Sequence, residues 1–482
     1  MGTSRRWTAR GLIDLVLDEG SYESWDEPVD TGGHSDEYQA ELRAAAEKAG
    51  TDESVLTGRG TVNGRPVAFI VNEFQFLAGS IGVAAAERIA SAVRRAAAAG
   101  IPVVASTASG GTRMQEGTRA FVHMIEISRA LMEHRAAGLP YLVHLRHPTT
   151  GGVYASWGSL GHVTVAEPGA LVGFLGPKVY EALNGRPFPE GVQTAENLAA
   201  KGVIDAVVSS EDLRWLFDLA LAVLVDPPGP GTQERRTTVA ADAVAAAAWE
   251  SIEHTRADGR AGVRELLKYG AEGTLRLRGT DEGERDETVI VALTRLDGIP
   301  CVLVGQDRSR QSAATPMGPG ALREARRAMR LAEELRLPLV TVIDTPGAEL
   351  SPEAEEGAIA GEIARCIATL VTMTVPTVSM ILGQGCGGGA LALLPAATVL
   401  ATEHAWLSPL PPEGASVIRY GTVDRAAEMA TSQGVRALDL LAGGEVHAVV
   451  PEHDDDTPAD LARAVAAEIA HHLRSGTAPG FW

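Results

Sequence analysis

The run from Val375 to Ala390 reads Val-Pro-Thr-Val-Ser-Met-Ile-Leu-Gly-Gln-Gly-Cys-Gly-Gly-Gly-Ala, an apolar stretch that ends in five glycines within seven positions. Glycine lets a backbone approach a ligand closely, and Ala390-Leu-Ala-Leu-Leu then reads as a helix start, so successive N–H groups face outward there. Such a nest holds either a phosphate or an oxyanion that forms during a reaction. Gly383-x-Gly385-x-x-Gly388 matches the dinucleotide fingerprint, with Glu403 beyond it. That fingerprint requires a whole crossover helix between two parallel strands. Pro395 cuts the helix short and the next apolar run, 397–402, begins at once, so the match is weak.

The nest has a twin. From residue 82 onward, an offset of 236 pairs Gly82 with Gly318, Ala92 with Ala328, Pro102 with Pro338, Gly111 with Gly347, Pro140 with Pro376, Gly151-Gly152 with Gly387-Gly388, and Glu167 with Glu403. Just before it, Asn63-Gly-Arg-Pro and Asp297-Gly-Ile-Pro correspond at an offset of 234. A two-fold repeat on this scale means duplicated domains, since a solenoid repeats every ~20–50 residues. Each half then offers a strand, a glycine loop (Ser109-Gly110-Gly111-Thr112; Thr345-Pro346-Gly347-Ala348), a helix, a second strand, and Gly-Gly at a helix start. Two sources of backbone N–H converging from adjacent strand ends are what an oxyanion hole needs, and enolate chemistry on a thioester suits it.

The elements that position these loops are readable. Residues 9–17 form an amphipathic helix and 36–49 a charged one. Strands 57–62 and 65–71 meet at Asn63-Gly64, a hairpin signal. Helix 82–99, strand 102–106, helix 116–137 and strand 140–145 follow, then a short strand pair in 162–175 and helices to about 225. Asp226-Pro-Pro-Gly-Pro-Gly-Thr232 stops regular structure, so the expected division is 1–225, a linker over 226–244 with Arg235-Arg236 solvated, and 245–482.

At 482 residues and a formal charge of −20, the chain suits a soluble α/β protein rather than a nucleic-acid binder. It has no run of 18 or more apolar residues and no apolar h-region behind Met1, so a cytoplasmic protein without a membrane span is expected. Cys301, Cys366 and Cys386 show neither metal spacing nor a disulfide framework. There is no Gly-x-Ser-x-Gly elbow and no His-Glu-x-x-His.

The first half resembles the beta subunit of bacterial acetyl-CoA carboxylase through Ala9-Arg-Gly-Leu-Ile-Asp-Leu-Val-Leu, Ser109-Gly-Gly-Thr-Arg-Met-Gln-Glu-Gly, Pro148-Thr-Thr-Gly-Gly-Val and Ala166-Glu-Pro-Gly-Ala-Leu-Val-Gly-Phe-Leu-Gly-Pro. The second half resembles the alpha subunit through Met317-Gly, Ile343-Asp-Thr-Pro-Gly-Ala, Gly383-Gln-Gly-Cys-Gly-Gly-Gly-Ala-Leu and Pro412-Glu-Gly. The chain thus looks like the carboxyltransferase component of biotin-dependent acyl-CoA carboxylases, with both subunits fused. The resemblance implies an α/β fold of two tandem crotonase-like (ClpP/crotonase) ββα-superhelix domains. It implies CO2 transfer from carboxybiotin, on a separate carrier, to the alpha carbon of an acyl-CoA such as acetyl-CoA, giving malonyl-CoA in fatty acid or polyketide biosynthesis. The amides of Gly151 and Gly152 would hold the thioester oxygen. Those of Gly388 and Gly389 would hold the ureido oxygen of biotin, whose N1 would remove the alpha proton. Gly110, Gly111, Arg113, Tyr154, Gly347, Ala348, Gly387 and Ala390 would line the two substrates. A biotin carboxyl carrier protein and a biotin carboxylase would act in trans, and a homo-oligomer, a dimer or a trimer of dimers, is expected.

The sequence departs from the family at three points. All cysteines lie after residue 300, where the beta subunit usually begins with a four-cysteine zinc ribbon, so no metal is expected. Gly385-Cys-Gly-Gly-Gly leaves open whether Gly387-Gly388 or Gly388-Gly389 is the donating pair. The segment after Ala348, Glu-Leu-Ser-Pro-Glu-Ala, differs from the usual turn. Single residues carry two readings each. Arg113 either meets a phosphate or pairs with Glu116, and Tyr154 either lines the acyl pocket or packs. His144 and His147 fit structural hydrogen bonding better than phosphate contact, and Cys386 fits as a small residue. Two other functions share these features: decarboxylation of a malonyl-type thioester, separable by biotin dependence, and a non-catalytic scaffold of a carboxylase complex.

Overall fold

A computed structural model describes residues 7–476. Its contacts divide the chain into two units, one running to Leu221 and including Asp281–Gly283, the other running from Ala222 and taking in the rest. In the first unit the strands are β1 (Glu23–Ser24), β2 (Val55–Val62), β3 (Arg65–Asn72), β4 (Val103–Ser109), β5 (Tyr141–Thr150), β6 (Val163–Ala166), β7 (Val172–Gly173) and β8 (Ala206–Val207). They form one sheet in the order β1-β2-β3-β4-β5-β6-β8, with β7 joining β5. In the second they are β9 (Ala271–Leu277), β10 (Val289–Leu296), β11 (Ile299–Gln306), β12 (Leu339–Thr345), β13 (Thr377–Cys386), β14 (Thr398–Thr402), β15 (Trp406–Ser408) and β16 (Ala448–Val450). Their order, β16-β14-β13-β12-β11-β10-β9 with β15 on β13, repeats the first sheet.

The repeat extends to detail. Each sheet opens with an antiparallel hairpin, β2–β3 or β10–β11, and continues in parallel strands. The hairpin turns put two residues at positive φ, Asn63 (48°) and Gly64 (78°), or Asp297 (42°) and Gly298 (84°). Asn, Asp and Gly tolerate that twist, which matches the flanking strands. Helices Val83–Ala99 and Pro319–Leu335 are 17 residues each and begin after Gly82 and Gly318. A register shift falls between Thr107 and Ser109 in β4 and between Ile343 and Thr345 in β12. The parallel strands are buried, and the cores draw on Ile70, Val103, Val143 and Ile89 in one unit and Leu303, Val342, Met380 and Val465 in the other. The architecture is two tandem crotonase-like domains.

Three expectations change. The short strands β6 and β7 both lie parallel to β5 and do not pair with each other. Residues 226–244 form no helix or strand and pack on the second unit. Thr232 and Gln233 N–H donate to Asp297 Oδ1 at 2.6 and 2.9 Å, and Val239 N–H donates to Val449 O at 2.9 Å. Arg235 stays exposed while salt-bridging Glu468, and Arg236, expected to be solvated, is instead largely covered in its salt bridge to Asp456, at 2.5 Å each. Finally, Gly151-Gly152 starts no helix. Gly158 N–H turns back to Val153 O (2.9 Å) and Ser156 O–H donates to Gly152 O (2.5 Å), so the chain makes turns and one 3-10 turn, Trp157–Ser159. Among the described residues, no helix is long and apolar enough to cross a membrane.

Candidate active site

In the first unit β4 ends at Ser109, whose Oγ accepts the Gly111 N–H at 3.0 Å. Gly111 adopts φ 112°, a region in which a side chain is strained. The loop then runs beside Ile81: Ile81 N–H donates to Gly111 O and Arg113 N–H to Ile81 O, both at 2.9 Å. Thr112 sits between these bonds as the paired residue, so its own N–H points away from Ile81. On the other side stands the end of β5. A Cβ on Gly151 would lie 3.3 Å from Gly111 Cα, and one on Gly111 would lie 3.5 Å from Gly152 N. A Cβ on Gly152 would lie 2.9 Å from Thr112 Oγ1. The two loops meet backbone to backbone, and the positive φ values of Gly111 and Gly151 favour glycine there. Gly151 N–H donates to Phe174 O at 3.0 Å. The amides of Gly152 and Thr112 have no acceptor among the described residues, and both residues are only partly buried.

The second unit repeats this. Thr345 Oγ1 accepts the Gly347 N–H at 3.1 Å, and Gly347 has φ 134°. Ala348 pairs with Met317, and Glu349 N–H donates to Met317 O at 2.9 Å. That pairing turns the Ala348 amide away from Met317, and a Cβ on Gly389 would lie 3.1 Å from Ala348 N. Gly151 and Gly387 share φ 63°. The counterpart of Gly151-Gly152 is therefore Gly387-Gly388, one residue earlier than the expected Gly388-Gly389 pair. Gly389 takes the place of Val153. The amides of Gly388, Gly389 and Ala348 have no acceptor among the described residues. The helix Gly387–Leu391 spans five residues, well short of a dinucleotide-binding crossover.

The remaining expected residues divide. Gly110 N–H is used by Ala78 O at 3.0 Å. Ala390 is fully buried and presents nothing to a ligand. Arg113 is corrected as a phosphate contact, because its side chain is 1% exposed against Glu53 and Glu116. Its guanidinium also donates to Ser80 O at 2.8 Å and to Ser54 Oγ at 3.2 Å. Glu116 in turn accepts Tyr38 O–H and Val83 N–H, both at 2.6 Å. This network fixes the loop beside Thr112, and burial, which alone would lower it, is outweighed by Glu53, so Arg113 is held above its ordinary pKa. Tyr154 packs half-buried against the unit 1 core. His144 Nδ1 bonds Ser106 Oγ at 3.1 Å, and burial pushes the ring down to about 3, so it stays neutral. His147 Nδ1 accepts Leu171 N–H at 3.0 Å. Cys386 is 1% exposed, and burial pushes its thiol up to about 11, which suits a filler rather than a nucleophile.

Three residues escaped the sequence reading. Thr112 was available from the offset of 236 back from Ala348. Gln306, fully buried, donates to Gly389 O at 2.8 Å. Asp344 lines a cavity of about 410 Å3 with Arg260, Arg308 and Gln384. Burial pushes its carboxyl up to about 6 against the pull of Arg260. No local pattern marked Gln306, whereas Asp344 stands inside the Ile343-Asp-Thr-Pro-Gly-Ala stretch with nothing there to show its burial. Together the geometry gives the first unit two and the second unit three backbone amides without an acceptor among the described residues, beside no activated side-chain nucleophile.

Known proteins carry the same arrangement of sequence and fold. Residues 4–470 match the carboxyl transferase domain family. A chain named as the biotin-dependent acyl-coenzyme A carboxylase beta3 subunit of Mycobacterium tuberculosis is 54% identical over 480 residues, covering 98% of this chain and 96% of that one. The acetyl-coenzyme A carboxylase carboxyl transferase subunits beta/alpha of Salinispora arenicola are 37% identical over 98% of this chain and 87% of theirs. Among solved structures, transcarboxylase 12S, a hexamer with methylmalonyl-coenzyme A bound, superposes with a TM-score of 0.76 at 20% identity, covering 97% of this chain and 90% of that one. A single-chain, multi-domain long-chain acyl-CoA carboxylase gives 0.73 at 21% identity, covering 97% of this chain and 46% of that one. The chain belongs to the carboxyl transferase family of biotin-dependent acyl-CoA carboxylases.

Proposed function

We propose that this enzyme transfers CO2 from carboxybiotin on a separate carrier to the alpha carbon of a short acyl-CoA, with acetyl-CoA the first substrate to test. The observation that carries the reading is the pair of matched amide sets, Thr112 with Gly152 and Ala348 with Gly388 and Gly389, each without an acceptor among the described residues and set beside glycines where a Cβ would crowd the facing loop. In the first unit, the amides of Thr112 and Gly152 bind the thioester oxygen and stabilise its charge as the enolate develops. One such donor is worth ~3 kcal/mol. In the second, the amides of Ala348 and Gly389 form a cradle that fits a carbonyl-type oxygen such as that of a ureido ring. When bound, carboxybiotin supplies the CO2 and a base. The chain's own role is to orient and to neutralise charge, which needs no titrating side chain.

The carboxylase and carrier act in trans in this reading, and the protein is a cytoplasmic homo-oligomer. Helix Gly117–Ala136 supports assembly, since Phe121 and Ile125 remain 63% and 58% exposed one turn apart. The test is reverse transfer: purified protein with free biotin and malonyl- or methylmalonyl-CoA should release acyl-CoA in a biotin-dependent way. Release that ignores biotin would mean a decarboxylase, and no release from either ester would refute the reading.

A further inference from the structure

Gln306 ends β11, and its side chain is wholly buried. Its Oε1 accepts the Asp344 N–H at 3.0 Å, and its Nε2 donates to Gly389 O at 2.8 Å. The same nitrogen lies 3.5 Å from Met317 Sδ, and Met317 is the residue that pairs with Ala348. One neutral amide, able to accept and donate at once, thus touches the end of β12, the glycine helix, and Met317, the residue paired with the opposing donor. The helix itself leaves the Gly389 carbonyl to Gln306, because Ala392 N–H goes to Gly388 O and Leu393 N–H to Ala390 O.

The first unit does this differently. Asn72 stands where Gln306 does, one methylene shorter. Its Oδ1 accepts Ala108 N–H at 3.4 Å, while its Nδ2 reaches Ser54 O and Gly79 O at 3.3 and 3.5 Å. It does not reach Val153, whose carbonyl takes Gly158 N–H at 2.9 Å. The unit 1 loop is closed by its own backbone, and the unit 2 loop by a side chain from a neighbouring strand.

We infer that Gln306 is a positioning residue that sets the separation of the Ala348 and Gly389 amides, and so controls the reaction of the biotin substrate without touching it. This rests on the reading that the unit 2 amides take the ureido oxygen. An oxyanion hole works only with donors ~2.7–3.1 Å from the oxygen, so a drift of a few tenths of an ångström at Gly389 is enough to weaken it. The acyl-CoA side has its own closure and is left unchanged.

The experiment compares wild type with Gln306→Leu and Gln306→Asn. Leucine keeps the bulk and removes both hydrogen bonds, whereas asparagine keeps the Asp344 contact and loses Gly389, as Asn72 does in unit 1. In reverse transfer, kcat/KM for free biotin should fall roughly tenfold to a hundredfold, the scale of one misplaced donor, while KM for the CoA ester holds within about twofold. Amide hydrogen exchange read by mass spectrometry should quicken across residues 386–392 and stay unchanged across 150–156. A merely structural role predicts loss shared by both substrates in step with a lower Tm, and that result would overturn the inference. So would folded variants with wild-type biotin kinetics and exchange. If Gln306→Leu does not fold, Gln306→Asn decides on the same criteria. If wild type itself shows no biotin-dependent transfer, the functional reading fails, and the exchange comparison alone decides whether Gln306 holds Gly389.

Discussion

Gly389→Ala separates the backbone hypothesis from any role for side chains. Gly389 lies within the helix Gly387–Leu391 and is not among the residues at positive φ, so alanine fits the local backbone and gains up to about 1 kcal/mol of helix propensity. The new methyl arrives 3.1 Å from Ala348 N and 3.4 Å from Gly347 C, and 2.6 Å from Met317 Cε. The Met317 terminus is flexible and gives way, at an overpacking cost of about 1–3 kcal/mol. The backbone nitrogen of Ala348 cannot move far, because Met317 and Glu349 pin the loop. The methyl therefore covers the amide meant for the incoming oxygen. Loss of one donor, ~3 kcal/mol, corresponds to a hundredfold or more in rate at about 1.4 kcal/mol per decade. The assay is reverse carboxyl transfer with free biotin at saturating CoA ester, beside a thermal melt. The expected outcome is a folded protein with kcat reduced about a hundredfold. A folded Gly389→Ala protein of wild-type rate would refute the assignment of Ala348 as a donor.

The first unit offers the matched test. Gly151→Ala places a side chain at φ 63° and 3.3 Å from Gly111 Cα, which should cost about 1–2 kcal/mol of backbone strain and lower both Tm and turnover; an unchanged melt would refute the strain argument. Arg113→Met removes the partner of buried Glu53 and should destabilise by about 3–5 kcal/mol, whereas a selective rise in KM for the CoA ester at unchanged Tm would restore Arg113 as a phosphate contact. Asp344 has its folded pKa raised by burial to about 6, so the stability linked to its proton is present below the unfolded value near 3.9 and lost as pH rises through about 6. The loss is about 3 kcal/mol at two pKa units. Asp344→Asn, which keeps an acceptor for Gln384 N–H, should therefore raise Tm clearly at pH 8 and much less at pH 5, and an equal gain at both would show that Asp344 is not the titrating group.

Local rules made much of this fold readable, and distant partners account for what stayed hidden. Asn63-Gly64 and Asp297-Gly298 announced the hairpins because their positive φ values are set by residue type alone. The offset of 236 located both glycine loops because duplication preserved glycine where the backbone takes positive φ, at Gly111 and Gly347 and at Gly151 and Gly387. Which amides remain unpaired was not legible. Gly151 is taken out of the donor set by Phe174 O, just past the end of β7. Arg113 is taken out by Glu53, 60 residues earlier. Arg235 and Arg236 read as solvent-facing in a Pro/Gly-rich stretch, yet their partners, Glu468 and Asp456, lie more than 200 residues away. Pairing over such separations follows from the assembled sheets, which a motif does not encode.

The two units agree in the backbone and disagree in what braces it, and that contrast bears on mechanism. Where unit 1 has Arg113 locked to Glu53 and Glu116, unit 2 has Glu349, which accepts Ser351 O–H at 2.7 Å. Where unit 1 has Thr112, unit 2 has Ala348, and where unit 1 has Val153, unit 2 has Gly389. Had a side chain performed the chemistry, reversal of charge at the residue next to each donor would be hard to reconcile with a shared reaction type. Backbone amides are indifferent to it, provided each loop is held at the same φ, as Gly151 and Gly387 are at 63°. The substitutions that distinguish the units then tune which carbonyl-type oxygen each hole accepts. Exchanging Val153 for glycine should open unit 1 without removing its donors. The expected result is a higher KM for the CoA ester with biotin kinetics intact; a change confined to biotin would show that the two holes have been assigned to the wrong substrates.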